Sequence, residues 1–197
     1  MIGRLLLNLR RLGRPESLPM RFVGACLLVL SEFESRVLRP HENTWLRHVY
    51  LRNRGVNFSS PCYISQGFRL FRTGSLTIGP RACFGENCGL YIHGDVTIGS
   101  DFVAAPGFTL NSGTHDVATL QPAAIPITIG DRVWCGVNVT VVAGAHIGDD
   151  CVIGANSLVM SPIPPRSLAV GSPARVIRSE IRPPDKGASL WRNYVSD

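Results

Sequence analysis

Lysine is nearly absent from this chain of 197 residues, and charged residues of every kind are few. Lys186 is the only lysine, and Asp, Glu, Lys and Arg together make up 17% of the residues. Disordered chains combine high net charge with few apolar residues, whereas apolar residues reach 45% here. The composition therefore indicates a folded protein, and its length fits about one domain with a core.

The sequence also lacks an apolar run long enough to span a bilayer. The longest run, FVGACLLVL at residues 22–30, has nine residues, whereas a membrane helix needs roughly 20. No small-residue cleavage pattern of a signal peptide follows it. We therefore expect a cytoplasmic protein.

Paired cysteine motifs are missing as well, although the chain has six cysteines. None of them forms a CxxC pair, and several fall on inward positions of the repeat described below: Cys26, Cys62, Cys83, Cys88, Cys135 and Cys151. We interpret them as small buried apolar residues of a protein in a reducing compartment, not as a disulfide framework.

The net charge of +6 lies in the N-terminal segment alone. Residues 1–55 hold ten arginines against four glutamates, whereas residues 56–197 hold ten basic and ten acidic side chains. Aromatic residues are few and no nucleic-acid motif accompanies the arginines, so we expect no nucleic-acid partner. An apolar stripe with arginines opposite is typical of a helix at an anionic membrane surface, and its members are Ile2, Leu5, Leu6, Leu9 and Leu12.

Three helices are predicted in residues 1–55, over residues 2–12, from Pro19 to a point before Pro40, and from Asn43 or Thr44 to Gly55. Residues 1–38 are thus a candidate for peripheral contact with the inner membrane. The alternative is that these helices only cap the first coil of the following domain, because an open end of a β-helix would aggregate. The two interpretations are compatible.

A repeat begins after Gly55. Three blocks of similar length align with one another, at residues 56–75, 76–95 and 96–116, and a stricter series then places a residue at every sixth position: Ile129, Cys135, Val141, Ile147, Ile153 and Val159. A period of six fits neither a helix nor an alternating strand, but it fits a chain that turns a corner every six residues. Three sides close a triangular coil, and stacked coils form a parallel β-helix.

The repeat is interrupted once. After Ile98, Ala104 and Leu110 the next inward residue is due at position 116, but it arrives thirteen residues later, at Ile129. The extra residues must leave the coil as a loop, which we place at residues 117–128 with His115 at its root. A loop on a rigid scaffold is a common place for a binding site.

The sequence resembles a known family in these segments. The run ITIGDRVWCGVNVTVVAGAHIGDDCVIGANSLV, the later GSPARVIR, and the upstream VTIGSDF and THD are similar to the hexapeptide-repeat acyltransferases of the maltose and galactoside O-acetyltransferase type. The resemblance covers residues 76–178. It implies an all-β fold, a left-handed parallel β-helix, which we place at residues 56–171, followed by a short C-terminal extension at 172–197. Residues 1–55 do not match the usual N-terminal region of the family, and the N-terminal α-helices there are predicted from the residue pattern alone.

The resemblance also implies an activity, namely transfer of an acetyl group from acetyl-CoA to a sugar hydroxyl within a homotrimer. His115 matches the catalytic histidine, and a histidine general base can take the proton of a hydroxyl as it attacks the thioester. Trp134 matches a residue between acceptor and pantetheine. Positions near the cofactor arm and its nucleotide end correspond to Gly136, Ala143, Ala155, Arg175 and Arg178. Small residues are also what the coil corners need, and no metal is expected.

The acceptor side departs from the family pattern. The asparagine that contacts the acceptor falls on Gly85, with Asn87 two residues later, and the acceptor-contacting acid falls on His93. The loop is also shorter than in typical maltose enzymes. We therefore expect acceptor binding by Asn87, His93 and Trp134, and a cell-surface polysaccharide or its precursor as the acceptor.

Other functions remain as alternatives. A small-molecule acetyltransferase acting on a free sugar, serine or a xenobiotic would share the coil and the cofactor, and a non-catalytic β-helix scaffold would bind no acetyl-CoA. A γ-carbonic anhydrase would need three converging histidines, which His93, His115 and His146 do not provide at a suitable spacing.

Overall fold

The computed structural model describes residues 45–58 and 62–181, together with the helical positions Val23, Cys26, Val29 and Leu30. The chain divides into two compact units, Met1–Val56 and Asn57–Asp197. The apolar stripe at 2–12 and most of the second predicted helix lie outside the described residues.

The helix predicted to end at Gly55 is α1, Trp45–Asn53. Its end is a Schellman motif, in which Gly55 has a φ of 71°. The Gly55 N–H donates to the carbonyl of Arg52 at 2.9 Å, and the Val56 N–H donates to that of Leu51 at 3.1 Å. Glycine fits this position because it adopts positive φ without steric cost.

In the described residues after α1 there are nineteen strands, numbered β1 to β19 in chain order, and seventeen of them form three sheets. Sheet A contains β1 (Asn57–Phe58), β4 (Leu76–Ile78), β7 (Val96–Ile98), β12 (Ile127–Ile129) and β15 (His146–Ile147). Sheet B contains β2 (Tyr63–Ile64), β5 (Cys83–Phe84), β8 (Val103–Ala104), β13 (Trp134–Cys135), β16 (Val152–Ile153), β18 (Leu168–Val170) and β19 (Arg175–Arg178). Sheet C contains β3 (Arg69–Arg72), β6 (Gly89–Ile92), β9 (Thr109–Asn111), β14 (Thr140–Val142) and β17 (Leu158–Val159).

The chain passes through sheets A, B and C in turn, so that each circuit is one coil of a parallel β-helix. Five coils pass through all three sheets, and a sixth adds Ile163, bridged to Ile147, and β18. Within these three sheets the strands pair in parallel except for β19, which runs antiparallel to β18. The predicted β-helix is therefore confirmed, and the first strand after Gly171 joins its sheet B.

The inward ladders confirm the alignment made from the sequence. Ile78 pairs with Ile98, Phe84 with Ala104 and Leu90 with Leu110 across neighbouring coils. All six residues of the strict series are at most 1% exposed: Ile129, Cys135, Val141, Ile147, Ile153 and Val159. One aliphatic side chain per side thus stacks on its equivalents above and below.

Two neighbouring coils exchange large and small residues in the interior. The second coil carries Ala82 and Phe84, and the third carries Phe102 and Ala104, all of them at most 2% exposed. The rings of Phe84 and Phe102 lie 5.4 Å apart, tilted by 54°. A phenylalanine in one coil is therefore accommodated by an alanine in the next, which keeps the interior filled.

The corners between sheets A and B carry both arginine and aspartate at positive φ. The five residues with positive φ there have φ values of 55° to 59° and alternate in charge: Arg81, Asp101, Arg132, Asp150 and Arg166. Arginine rarely adopts this conformation. The ion pairs between successive coils, such as Arg81 with Asp101 at 2.6 Å, offset part of that cost.

The interruption of the coil is a β-hairpin formed by β10 (Gly113–His115) and β11 (Pro122–Ala124). The loop was expected at residues 117–128, and these bounds are wrong at both ends. The last strand of the coil before the hairpin ends at Asn111. The coil resumes at Ile127, as shown by the burial of Ile127 and Ile129 on either side of the exposed Thr128.

In the part of the chain that the structure describes, no helix has the length and apolarity needed to cross a membrane.

Candidate active site

The hairpin is closed at its tip by Asp116. Its Oδ1 accepts hydrogen bonds from the N–H of Ala118 at 3.0 Å and from the N–H and hydroxyl of Thr119 at 2.8 and 2.9 Å. The Leu120 N–H donates to the Asp116 carbonyl at 2.8 Å. The hydrogen bonds from Thr119 hold the pKa of the Asp116 carboxyl below its usual value. Asp116 therefore orders the turn next to His115.

His115 is the last residue of β10 and lies opposite Pro122. It was expected at the root of the loop, but the root is formed by Ser112 and Ile125, whose backbone groups bond at 3.0 Å. The hairpin pairs Gly113 with Ala124, Thr114 with Ala123 and His115 with Pro122, which places His115 next to the turn. Its side chain is exposed, and the imidazole has no side-chain hydrogen bond to any described residue. It is thus free to accept a proton from a bound hydroxyl.

His93 lies beside the same strand. An ideal Cβ built on Gly113 would come within 2.5 Å of His93 Cδ2 and 2.9 Å of Cγ. Gly113 and His115 are two residues apart on β10, so their Cβ directions point to the same side, about 7 Å apart along the strand. The imidazoles of His93 and His115 therefore lie on one side of the hairpin.

Phe71 extends this group along sheet C. Its ring centroid lies 5.2 Å from that of His93, and the Phe71 side chain is 48% exposed. His93 is itself exposed, in the corner between β6 and β7. The structure thus places one predicted acceptor residue, His93, on the same side of β10 as the predicted catalytic residue, His115.

Asn87 and Trp134 do not join this group. Asn87 lies in the corner between sheets B and C, with a φ of 58°, and its side-chain amide lies against Gly67 in the preceding coil. Trp134 is on the outer face of sheet B and is 49% exposed. Sheet B lies opposite the corner between sheets C and A from which the hairpin emerges. Within one chain the three predicted acceptor residues are therefore apart.

The predicted cofactor residues fall mainly on the side of Trp134. Trp134 pairs with Val152, Val152 with Leu168, and Leu168 with Arg178, along the outer face of sheet B. Three strand spacings correspond to roughly 14 Å. Arg175, opposite Val170, and Arg178 are both exposed. An aromatic ring and a guanidinium thus lie at the two ends of one outer face.

The three small residues predicted at the cofactor lie in two different corners. Gly136 and Ala155 follow strands of sheet B, and a Cβ on Gly136 would lie 2.7 Å from the Ala155 backbone nitrogen. Coil stacking alone therefore requires glycine at position 136. Ala143 lies between sheets C and A, next to Gly144, which faces Ile125 at the hairpin root.

The buried cysteines are poor candidates for a nucleophile. All six are free, and only Cys26 is exposed. Burial raises the pKa of the Cys62, Cys83 and Cys88 thiols to about 12, and a thiolate is the reactive form. Among the described residues no cluster of three or more His, Cys, Asp or Glu side chains could hold a metal ion.

Sequence reasoning missed Ser112, Gly113, Asp116 and Phe71. Asp116 had a usable signal, because an aspartate ahead of a turn often accepts hydrogen bonds from the backbone two or three residues later. The contacts of Phe71 and Gly113 with His93 join different coils, so no local pattern indicates them.

Comparison with known proteins identifies the family. A family model described as a hexapeptide repeat of succinyl-transferase matches residues 126–161. An Escherichia coli K12 protein named for colanic acid biosynthesis as an acetyltransferase, WcaF, is 34% identical over 137 residues, which are 68% of this chain and 75% of that protein. The chain belongs to the hexapeptide-repeat acetyltransferase family.

A second relative by sequence and one solved structure give two further comparisons. An E. coli K12 protein named for lipopolysaccharide biosynthesis as an O-acetyl transferase, WbbJ, is 34% identical over 152 residues, covering 66% of this chain and 74% of that protein. A hexapeptide-repeat acetyltransferase from Vibrio cholerae O1, solved in complex with acetyl-CoA, superposes with a TM-score of 0.53 at 20% identity, covering 86% of this chain and 93% of that one. This acetyltransferase thus shares its fold with the Vibrio protein.

Proposed function

We propose that this acetyltransferase moves the acetyl group of acetyl-CoA to a sugar hydroxyl of a cell-surface polysaccharide or its precursor. The observation that carries the proposal is the similarity to the two E. coli proteins named for colanic acid and lipopolysaccharide biosynthesis, over about three quarters of each. The exposed His115 on a braced hairpin supplies a group suited to the reaction.

His115 acts as the general base. Its imidazole takes the proton of the sugar hydroxyl while the hydroxyl oxygen attacks the thioester carbonyl carbon. The carbon–sulfur bond then breaks, and the proton passes to the departing sulfur of coenzyme A. Asp116 supports this role by ordering the hairpin turn, and no cysteine nucleophile takes part.

His93 contacts the acceptor from the same side of β10. An imidazole can donate or accept a hydrogen bond, but it lacks the fixed charge of a carboxylate. Phe71, next to His93, is exposed, so this side of the hairpin is open to solvent. The face of the Phe71 ring is available to a larger glycan. Asn87 lies away from His115 in its own chain, so it contacts the acceptor only at the active site of a neighbouring subunit.

Acetyl-CoA lies along the outer face of sheet B. Trp134 packs on the acyl-bearing arm, with Gly136 and Ala155 at its edge, and Arg175 and Arg178 bind phosphate at the far end through guanidinium hydrogen bonds. Ala143 lies near the hairpin of the same chain. Because Trp134 and His115 are on opposite sides of a coil, we infer a homotrimer in which each site lies between two subunits.

The proposed division of the chain into segments is the one predicted from the sequence. We propose residues 56–171 as the catalytic β-helix, residues 172–197 as a C-terminal extension, and residues 1–55 as a basic helical segment. We propose a cytoplasmic enzyme held at the inner membrane through residues 1–38, which the arginine-backed apolar stripe supports.

The test is a comparison of kcat/KM for labelled acetyl transfer to two classes of acceptor. One class is lipid-linked or oligomeric surface glycan fragments, and the other is free maltose, glucose and a simple galactoside. We expect the glycan fragments to be better substrates. Equal or better use of the free sugars would assign the enzyme to the small-sugar group, and failure to bind acetyl-CoA in a calorimetric titration would leave only the scaffold.

A further inference from the structure

The His93 corner is fixed to the hairpin root by a buried serine. Ser112 is 0% exposed. Its Oγ accepts hydrogen bonds from the N–H groups of His93 and Gly94, each at 2.9 Å, and donates to the Gly94 carbonyl at 3.0 Å. One hydroxyl thus uses its full bonding capacity on the corner that carries His93.

The backbone of Ser112 holds the same residue to the hairpin and to sheet C. Its N–H donates to the Tyr91 carbonyl at 3.0 Å, and its carbonyl accepts from the Ile125 N–H at 3.0 Å. Ser112 therefore links the His93 corner, the preceding coil and the base of the strand pair that ends at His115.

The His93 ring occupies the space in which a side chain at Gly113 would lie. Gly113 does not have a positive φ, so its backbone conformation does not require glycine. The reason for glycine is space, because a Cβ would overlap the imidazole at 2.5 Å from Cδ2. The Gly113 N–H also donates to Asn111 Oδ1 at 2.9 Å, which fixes the strand where the ring lies against it.

We propose that Ser112 and Gly113 are positioning residues, which together hold the His93 imidazole at a fixed place on the side of β10 that presents His115. Ser112 fixes the backbone of the corner, and Gly113 leaves room for the ring. This inference rests on the proposed function, because it makes the spacing of the two imidazoles a determinant of acceptor recognition.

A double-mutant cycle tests the role of Gly113. Gly113→Ala displaces the His93 ring without truncating it, and we expect kcat/KM for the glycan acceptor to fall about tenfold while acetyl-CoA affinity is unchanged. In a His93→Ala background the same substitution should have almost no further effect. Additive losses would overturn the proposal. Gly89→Ala is the matched control, because the three atoms nearest to its Cβ would all belong to the side chain of Tyr91 on the same strand.

Ser112→Ala tests the clamp, with Ser157→Ala as its control. Ser157 is 1% exposed and its Oγ accepts a hydrogen bond from the Gly171 N–H at 3.0 Å, so both variants lose a buried hydroxyl. We expect only Ser112→Ala to raise the acceptor KM, by about tenfold, and Ser112→Thr, which keeps the hydroxyl, to restore much of it. An equal change in both alanine variants would reduce Ser112 to a structural residue.

Amide hydrogen exchange gives a readout that needs no acceptor. In Ser112→Ala the His93 and Gly94 amides lose their acceptor, and we expect their exchange to become at least tenfold faster while β16 is unchanged. If wild-type protein transfers acetyl to none of the sugars, the proposed function fails, and exchange still decides on the clamp. Unchanged exchange at residues 93 and 94 would overturn it.

Discussion

Arg132 and Asp150 form a two-bond ion pair between neighbouring coils, although both residues have positive φ. Arg132 Nε and Nη2 donate to the two carboxylate oxygens of Asp150 at 2.6 and 2.9 Å, at φ values of 55° and 58°. The hydrogen bond from Arg132 holds the pKa of the Asp150 carboxyl below its usual value. The pair lies at the surface, with 44% and 28% of the two side chains exposed.

Asp150→Asn removes the charge and keeps a residue that tolerates positive φ. Because the folded protein lowers the pKa of Asp150, the stabilisation is fully present above the unfolded value of about 3.9 and disappears as the pH falls through the folded value. We expect a loss of about 1 kcal/mol or less at pH 7, as for other exposed pairs, and a smaller difference near pH 3. Urea unfolding of both proteins at the two pH values measures this; a difference that grows in acid would contradict it.

His115→Ala is expected to lower turnover by a factor on the order of 10² to 10⁴, which is the usual contribution of general acid–base catalysis. Folding and acetyl-CoA affinity should change little, because the side chain is exposed and has no side-chain hydrogen bond to the described residues. Steady-state kinetics and calorimetry measure the two effects. His146→Ala is the control, since His146 is exposed on sheet A, opposite Thr128. Unchanged turnover in His115→Ala would remove this histidine from the mechanism.

The inner ladders of the coil could be predicted from the sequence, whereas the neighbourhood of His115 could not. Ile129 and Ile153 follow a period of six, and a periodic backbone places periodic residues alike. The contact of His93 with Gly113 joins residues twenty positions apart across an interrupted repeat, and its geometry depends on how the hairpin folds. The arginines at positive φ were also missed, because their conformation is offset by partners in the next coil and not by local preference.

Phe102→Ala tests the exchange of large and small residues in the core. Phe102 is 0% exposed and its ring lies 5.4 Å from Phe84 and 5.5 Å from Phe108. Because the substitution leaves a cavity beside these two rings, we expect a loss of about 3 to 5 kcal/mol in the free energy of unfolding. Phe71→Ala, at a 48% exposed ring, should cost less than about 1 kcal/mol. Equal losses in urea unfolding would show that the interior relaxes around the cavity.

Deletion of residues 1–18 should weaken binding to anionic lipid vesicles and leave acetyl transfer to a soluble acceptor intact. The deleted segment carries the apolar stripe from Ile2 to Leu12 and four of the arginines, Arg4, Arg10, Arg11 and Arg14, and such a helix binds by burial and by charge. Co-sedimentation at low and high salt measures the binding. If the full-length protein does not sediment with vesicles at either salt concentration, the segment has no membrane role.

Mixing two defective subunits tests whether each active site lies between chains. His115→Ala lacks the base but keeps Trp134, and Trp134→Asp keeps His115 but replaces the ring at a 49% exposed position, where folding should tolerate it. If one subunit supplies His115 and its neighbour supplies Trp134, random trimers formed from equal amounts contain intact sites at about one quarter of positions. We therefore expect co-refolded mixtures to recover about a quarter of wild-type activity at low acetyl-CoA concentration, with light scattering confirming the trimer. Separately refolded proteins that are combined afterwards are the control and should stay inactive. A co-refolded mixture without recovery would show that one chain supplies both residues, since sites built within a single subunit cannot be repaired by a neighbour.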